Sequence, residues 1–483
     1  MFYSLRLCKS LLVLSVLVAS ILPFTALAEK QELPDERAAT PDAPQEERRR
    51  VFNAESFTLD NGMEVVVIPN DRAPVVTHMV WYKFGAADEP IGKSGIAHFL
   101  EHLMFKGSAQ VGGRDLDPGE FSEIIRSMGG NDNAFTSQDY ISYFQSVPAQ
   151  HLETVMRMEA GRMNGINPPA DEVLSERKVI LEERKQRTDN DPRGQFGEQL
   201  AAAAFVNHPY GIPVIGWKHE MDELSYEDAK AFYDRWYAPN NAILVVSGDV
   251  TPGRVFQLAI DIYGQLPRED VPKRERTRSP ALNSHTSVTL EHPAIREPLV
   301  QTLFRVPSAR QNKEESLALQ VLEEILGGGP TSRLYKSLVV DQKIASSAGL
   351  SYSSASWDDS SLWIYATPLQ GKTLSDIQTA LMDELRKLIK DGMREKELGD
   401  AKSRMSDEAV YARDSLTGPA MVIGYGLATG QSLDDIEYWP YDISEVTADQ
   451  IKAVAEKYLN PDAPGEHPPV SGYLLPQAEG DKK

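Results

Sequence analysis

Apolar and polar residues alternate with a period of two in several short runs of this chain, which predicts strands. Two strands are predicted between Phe57 and Ile68, because the Asn61-Gly62 pair inside this run favours a tight hairpin turn. Single strands are predicted at Val75–Phe84 and Ala134–Val147. The continuous apolar run Ala242–Ser247 is typical of a buried strand.

Between these runs, apolar residues recur at intervals of three and four, which predicts amphipathic helices. In the earlier part of the chain, helices are predicted at residues 120–128, 150–163, 171–187, 197–205 and 226–237. In the later part, helices are predicted at 316–326 and 372–391, and strands at 347–353, 361–368 and 470–475. The chain therefore belongs to the α+β class, with a mainly antiparallel sheet and packed helices predicted in each part.

A polar segment rich in proline and charge separates two halves that show a similar order of elements. We interpret residues 265–284 as a linker, and the basic run Lys273–Arg278 within it as solvated. The halves also end alike, each with a helix, a Tyr-x-x-Asn or Tyr-x-Asn turn and a strand, which indicates a tandem duplication. The predicted domains are residues 52–264 and 285–476, followed by a polar tail, 477–483.

The amino terminus has the pattern of a secretory signal. Two basic residues precede the apolar run Leu11–Leu22, and Ala26-Leu27-Ala28 forms a small-x-small cleavage site, so residues 1–28 are predicted to be a signal peptide. An uncleaved anchor is the alternative. The sole cysteine, Cys8, lies within this segment, and residues 29–51 are predicted to be a flexible lead-in. We expect secretion across a bacterial inner membrane and a periplasmic location, although an exported eukaryotic protein fits the same pattern.

The charge balance bears on the kind of partner. Fifty Lys and Arg residues stand against 71 Asp and Glu residues, which gives a formal net charge of −21. Nucleic acid and anionic membrane surfaces are therefore not expected as partners. No segment after the signal is apolar enough to predict stable insertion into a bilayer.

The chemistry-bearing motif of the chain is the order H-x-x-E-H formed by His98, Glu101 and His102. On a helix, residues three and four positions apart share a face, so both imidazoles can bind one zinc ion beside the carboxylate. Ser94 is predicted to be the N-cap of this helix and Gly107 its end. The alternative is a pair of ordinary histidines satisfied by hydrogen bonds.

A catalytic zinc ion requires a third protein ligand in addition to two histidines. Glu176 and Glu183 are seven residues apart on a strongly helical stretch, so they lie on nearly the same face and could supply one ligand and one supporting carboxylate. The alternative is an exposed helix with surface ion pairs. The second half offers no histidine at the comparable helix, where Val321–Leu326 lies.

Five motifs in sequence order resemble the pitrilysin/insulinase family, which contains zinc peptidases with the inverted motif and the mitochondrial processing peptidases. The resemblance covers residues 52–475. The motifs are His98–Gly107, Gly129–Ser137, Glu176–Glu183, His208–Trp217 and Gly328–Tyr335.

The resemblance implies a zinc-dependent endopeptidase that hydrolyses peptides or unfolded polypeptides. His98, His102 and Glu183 would bind Zn²⁺. Glu101 would be the general base, and Glu176 a supporting carboxylate that helps to position the site. Glu182, which is adjacent and also acidic, is the competing choice for the third ligand.

The resemblance also implies how substrate and partner are held. Asn133, Ala134 and Phe135 would form an edge strand that pairs with the substrate backbone, whereas an ordinary strand is the alternative. The chain would form half of a clamshell and work as a homodimer or as a heterodimer with a related zinc-less subunit. Relatives hold the scissile carbonyl with an arginine and a tyrosine, a pair that is not placed in this sequence. A non-catalytic assembly subunit that retains zinc and a periplasmic peptide-binding module are the rival functions.

Overall fold

A mixed sheet organises the first half of the computed structural model, which describes residues 48–111, 114–282, 284–463 and 468–477. Its strand order is β1-β2-β8-β3-β7-β6, and only the β2–β8 pair is parallel among these described strands. The strands of this half, including the separate β4–β5 hairpin, are β1 (Glu55–Thr58), β2 (Glu64–Pro69), β3 (Val75–Tyr82), β4 (Ser108–Val111), β5 (Arg114–Leu116), β6 (Asn131–Thr136), β7 (Ile141–Pro148) and β8 (Ala242–Gly248).

Helices pack on the face of this sheet that carries the larger apolar core of the first half. The helices of this half are α1 (Ile96–Leu103), α2 (Glu120–Ser127), α3 (Leu152–Asn164), α4 (Ala170–Arg184), α5 (Pro192–Ala204), α6 (Lys218–Met221), α7 (Tyr226–Trp236) and α8 (Pro252–Ile262), of which α5 packs on the second sheet instead. The predicted helix at 171–187 is present, but its α-helical part ends at Arg184 and a π-helical turn, Lys185–Asp189, follows.

The second half repeats the strand arrangement of the first. Its strands are β9 (Thr286–His292), β10 (Leu299–Val306), β11 (Ala345–Tyr352), β12 (Ser360–Pro368) and β13 (Val470–Pro476). Their order β9-β13-β10-β12-β11, with a parallel β9–β13 pair, matches the β2-β8-β3-β7-β6 part of the first sheet in both order and direction. This correspondence is what a tandem duplication produces.

Helices cover the second sheet as well. The helices of this half are α9 (Lys313–Gly327), α10 (Leu374–Asp391), α11 (Glu395–Asp414), α12 (Gly418–Ala428), α13 (Leu433–Glu437), α14 (Trp439–Glu445) and α15 (Ala448–Leu459), of which α12 packs on the first sheet instead. The α+β class, with mainly antiparallel sheets packed by helices, is thus confirmed. The described residues contain no helix long and apolar enough to cross a membrane. The predicted signal peptide, the lead-in before residue 48 and the tail after residue 477 lie outside the described residues.

Each half lends one helix to the sheet of the other half. Helix α12 packs on the face of the first sheet that carries Trp81, and α5 packs on the second sheet through Phe196. Both contacts need a glycine, since a Cβ at Gly424 would overlap the Trp81 indole and one at Gly472 would crowd the Phe196 ring. The two sheets therefore share their packing, and their cores cannot be fully formed without each other.

Two sequence predictions near the first sheet are wrong. The run Ala134–Val147 is not one strand but the hairpin β6–β7, closed by a turn in which Ser137 N–H donates to the carbonyl of Tyr140. Period-two alternation continues on both sides of this turn, so the pattern does not mark it.

The basic run of the linker is only partly solvated: Lys273 and Arg278 are exposed, but the side chains of Arg274 and Arg276 are buried. The Arg276 side chain is 5% exposed and forms ion pairs with Asp88, Asp139 and Asp358 at 2.8, 2.6 and 3.1 Å. Arg274 stacks on the indole of Trp357, with 4.4 Å from its guanidinium carbon to the ring centroid. Because Asp358 lies in the β11–β12 turn and Asp139 in the β6–β7 turn, the linker joins the two halves through buried charge.

Candidate metal centre

Helix α1 is held at its start by residues from distant loops. It begins after Gly95, whose φ of 87° favours glycine, and the Glu89 carboxylate accepts hydrogen bonds from the amides of Gly95 and Ala97 at 3.0 and 2.9 Å. The predicted N-cap Ser94 is therefore wrong. Its hydroxyl instead accepts a hydrogen bond from Trp217 N–H at 2.8 Å, so the His208–Trp217 motif braces the helix. The helix ends at Leu103, short of the predicted Gly107.

Helices α1 and α4 bring two imidazoles and one carboxylate together. Nε2 of His98 lies 3.6 Å and Nε2 of His102 lies 3.4 Å from Oε2 of Glu183. One ligand atom from each of these residues lies within 4.8 Å of the other two, so the group could hold a metal ion. Two imidazole nitrogens and one carboxylate oxygen form a donor set that suits zinc and leaves a coordination position open.

The pKa values of the three side chains determine which of them are charged before a metal ion binds. Burial lowers the pKa of His98 to about 4, so that ring is neutral at pH 7. The hydrogen bond with His102 holds the pKa of Glu183 down at about 2, so this carboxylate is ionised. Burial alone would lower the pKa of His102, but hydrogen bonds to Glu176 and Glu183 raise it to about 9. Metal binding must therefore displace a proton from His102.

Glu176 supports the His102 ring from the side opposite the ligand group. Its Oε2 lies 3.0 Å from Nδ1 of His102, and its other oxygen lies 2.8 Å from the Lys106 ammonium. Burial acts to raise the pKa of Glu176, yet the hydrogen bonds from His102 and Lys106 outweigh it and lower that pKa. An ionised Glu176 keeps a proton on Nδ1, so the proton that metal binding displaces is the one on Nε2, which faces the ligand group.

The two adjacent glutamates of α4 point to different surroundings. The Glu183 side chain is 19% exposed, and its Oε1 lies 2.5 Å from a guanidinium nitrogen of Arg187, while Oε2 faces both rings. The Glu182 side chain is 55% exposed and pairs with Lys185 at 3.5 Å. The structure thus places Glu183 rather than the competing Glu182 beside the histidines.

Glu101 lies on the same helical turn as the two histidines. Its Oε2 accepts a hydrogen bond of 2.5 Å from the hydroxyl of Thr136 in β6. Burial raises the pKa of Glu101, and the Thr136 hydrogen bond opposes that shift. A half-buried carboxylate with a raised pKa beside a candidate metal group is suited to accepting and releasing a proton.

The residues predicted to bind substrate lie in β6, which is the outermost strand of the first sheet. Asn133, Ala134 and Phe135 pair with β7 on one side, and no described strand pairs with the other side. The Phe135 ring packs edge-on against Trp81, with the centroids 5.2 Å apart, so it anchors the strand from the face opposite α1.

Sequence analysis missed three residues that shape this centre. Glu89 caps α1, Thr136 holds Glu101, and Arg187 holds the outer oxygen of Glu183. Thr136 falls inside the Gly129–Ser137 motif, which was therefore a usable signal. Nothing in the sequence marks Glu89, because its partners are backbone amides several residues away.

Comparison with known proteins gives the family. Residues 65–218 match the family profile described as insulinase (peptidase family M16), and residues 223–405 match the one described as peptidase M16 inactive domain. The zinc protease PqqE of Helicobacter pylori is 33% identical over 359 residues, which cover 72% of this chain and 77% of that protein. This chain belongs to peptidase family M16.

Solved structures agree with the M16 assignment. A protease from Helicobacter pylori has a TM-score of 0.80 at 29% identity, and the match covers 88% of this chain and 99% of that one. The periplasmic protease PqqL of Escherichia coli has a TM-score of 0.73 at 21% identity, and this M16 chain covers 48% of it. The predicted resemblance to the pitrilysin/insulinase family is confirmed. With relatives named as zinc proteases, zinc is the metal indicated for the His-His-Glu group of this M16 protein.

Proposed function

We propose that this protein is a zinc-dependent endopeptidase that hydrolyses peptides or unfolded polypeptides. The observation that carries the proposal is the convergence of His98, His102 and Glu183, with the half-buried carboxylate of Glu101 on the same helical turn as the two histidines. When bound there, zinc would supply a Lewis acid that polarises the scissile carbonyl and acidifies a water molecule. Membership of a family of metallopeptidases supports the same chemistry.

Glu101 acts as the general base and then as the general acid. Its carboxylate accepts a proton from the attacking water and passes that proton to the nitrogen of the departing amine. Burial raises the pKa of Glu101, which favours the protonated form that makes the second transfer. Glu176 fixes the orientation of His102 throughout.

The substrate backbone adds to the free edge of β6 in this proposal. Pairing along Asn133, Ala134 and Phe135 uses main-chain hydrogen bonds, which bind an extended peptide without demanding a particular sequence. An extended backbone is available in peptides and unfolded chains, so folded proteins are poor substrates.

The working form is a pair of chains, either two copies or this chain with a related zinc-less subunit. The fold of this chain corresponds to about half of the PqqL chain, which supports a second half from another molecule. The N-terminal signal pattern and the likeness to a periplasmic protein support a periplasmic location. Light scattering during size-exclusion chromatography tests the pairing, and a fully active monomer would contradict it.

Cleavage of a quenched fluorescent peptide by the purified protein, with zinc content measured in parallel, tests the function. We expect cleavage that a chelator abolishes and added zinc restores. His98→Ala and His102→Ala should lose zinc and activity, whereas Glu101→Gln should keep zinc and lose turnover. Retained zinc without cleavage by the wild-type protein or its complex would favour an assembly subunit. Peptide binding without zinc would favour a binding module.

A further inference from the structure

A hydrogen bond links the proposed base to the proposed substrate strand. The Thr136 hydroxyl donates to Oε2 of Glu101 at 2.5 Å, and Thr136 is the last residue of β6. Among the residues that the structure describes, no second hydrogen bond to the Glu101 carboxylate is present. The orientation of this carboxylate therefore depends on a single hydroxyl group.

The alternation of side chains along β6 places the Thr136 hydroxyl on the face of the sheet that packs against α1. Successive side chains of a strand point to opposite faces, so Asp132, Ala134 and Thr136 share one face of β6. On this face Asp132 accepts a hydrogen bond from Ser122 of α2, and Ala134 packs on the core beneath α1. Phe135 packs on the opposite face. The position of β6 in the sheet thus sets the position of the Thr136 oxygen.

We propose that Thr136 is a positioning residue for Glu101, and that it couples the base to the strand that receives the substrate. The proposal rests on the proposed peptidase function and deepens it. A peptide that adds to β6 orders the same strand whose final residue holds the carboxylate. Substrate pairing and alignment of the base are thereby linked through one hydrogen bond.

The hydroxyl suits both protonation states of the base. It donates to the ionised carboxylate before proton transfer, and such charge-assisted hydrogen bonds are stronger than neutral ones. After Glu101 has taken a proton, the same oxygen can accept a hydrogen bond from the carboxylic acid, because a hydroxyl both donates and accepts. The side chain therefore holds Glu101 in one place through the whole cycle.

The test compares Thr136→Val, Thr136→Ser and Ser122→Ala in the zinc-loaded protein or complex. Valine keeps the volume and removes the hydroxyl, and serine keeps the hydroxyl. Ser122→Ala removes a different hydroxyl contact to β6, the 2.6 Å hydrogen bond to Asp132, without touching Glu101. Rates, KM, zinc content and the melting temperature are measured for each variant.

We expect Thr136→Val to lower kcat by roughly 10- to 100-fold, the loss that follows removal of one hydrogen bond to a charged group. KM and zinc content should stay near the wild-type values. Thr136→Ser should recover most of kcat, and Ser122→Ala should leave it unchanged. Thr136→Ala repeats the measurement with a smaller side chain, so that a folding defect of one variant does not decide the outcome.

An unchanged kcat in Thr136→Val, or a loss of kcat in Thr136→Ser equal to that in Thr136→Val, would overturn the inference and leave the peptidase function standing. An equal fall in kcat for Ser122→Ala would also overturn it, since any disturbance of β6 would then suffice. A zinc-loaded wild-type protein that cleaves no peptide would overturn the proposed function and this inference together.

Discussion

Nε2 of His102 lies 3.4 Å from Oε2 of Glu183, so that a residue of α1 and a residue of α4 face each other across the candidate metal centre. Nδ1 of the same ring is held by Glu176 at 3.0 Å. Two carboxylates of α4 therefore contact different nitrogens of the same imidazole ring. Glu183 lies in the candidate ligand group, and Glu176 holds the proton on Nδ1, so that Nε2 is the nitrogen of His102 that could bind a metal ion.

The choice between adjacent glutamates predicts unequal effects on zinc. Glu183→Gln should weaken zinc binding by more than the roughly 10- to 100-fold typical of outer-shell substitutions, because an anionic ligand is lost. Glu182→Gln is the matched control, since its side chain is exposed and pairs with Lys185. Competition with a chromophoric chelator measures both affinities. Equal losses in the two variants would contradict the assignment.

Glu176→Gln should lower zinc affinity by roughly 10- to 100-fold while leaving the fold intact. Glutamine lacks the charge that polarises the Nδ1–H of His102, so Nε2 becomes a less basic and therefore weaker ligand. Glu172→Gln serves as control because Glu172 reaches the same Lys106 at 3.3 Å without contacting His102. If Glu172→Gln lowers the zinc affinity as much as Glu176→Gln does, the loss is due to the shared contact with Lys106 and not to the contact with His102.

Substitution of Arg276 should lower the free energy of unfolding, although this residue does not contact the candidate metal centre. Arg276→Met would leave Asp139 buried without its cation and Asp88 with only the 3.7 Å ion pair to Arg274, and breaking such buried pairs typically costs about 3–5 kcal/mol of unfolding free energy. Urea denaturation followed by fluorescence measures the loss, and zinc affinity should change little. The exposed Arg278 of the same linker provides the control Arg278→Met. If the two variants are equally stable, the ion pairs of Arg276 do not stabilise the fold, and the basic run behaves as the solvated linker that its composition predicts.

The contact between Glu437 and the segment just before β1 leads to a further prediction on stability. Its buried carboxylate accepts hydrogen bonds from the amides of Phe52, Asn53 and Ala54 at 2.8, 3.2 and 2.6 Å. Glu437→Ala should cost about 1–3 kcal/mol of unfolding free energy, because three amides lose their acceptor and two of them, those of Phe52 and Ala54, are buried. It should also speed proteolytic cleavage just before β1. The exposed Glu445, changed to alanine, is the control, and equal cleavage rates would show that Glu437 does not hold this segment.

Sequence patterns predicted the strands of the first sheet correctly where the spacing of apolar residues stays constant from one turn to the next and the turn residues are distinctive. The two strands flanking Asn61-Gly62 and the buried strand β8 are examples. The same reasoning failed for the β6–β7 hairpin, because its turn, Ser137–Tyr140, does not interrupt the alternation. It gave no prediction for α12, whose surfaces contact both halves and therefore lack a polar face.

The interpretation of the linker failed for a different reason. Arginine and aspartate residues are usually exposed, so a run such as Lys273–Arg278 is expected to be solvated. Burial of Arg276 needs partners from two turns that are remote in sequence. No pattern within the run indicates that Asp139 and Asp358 will be there.

The sequence by itself determined the zinc motif, since the spacing of His98, Glu101 and His102 fixes their common face within one helical turn. It also determined the α+β class and the repeated order of strands, because both follow from local periods. Only the tertiary structure decided that Glu183 faces the rings, that Glu89 caps α1 and that Thr136 holds Glu101. Each of these pairings joins residues of different elements or loops. Packing of the whole chain brings them together, and no single local period of the sequence specifies that packing.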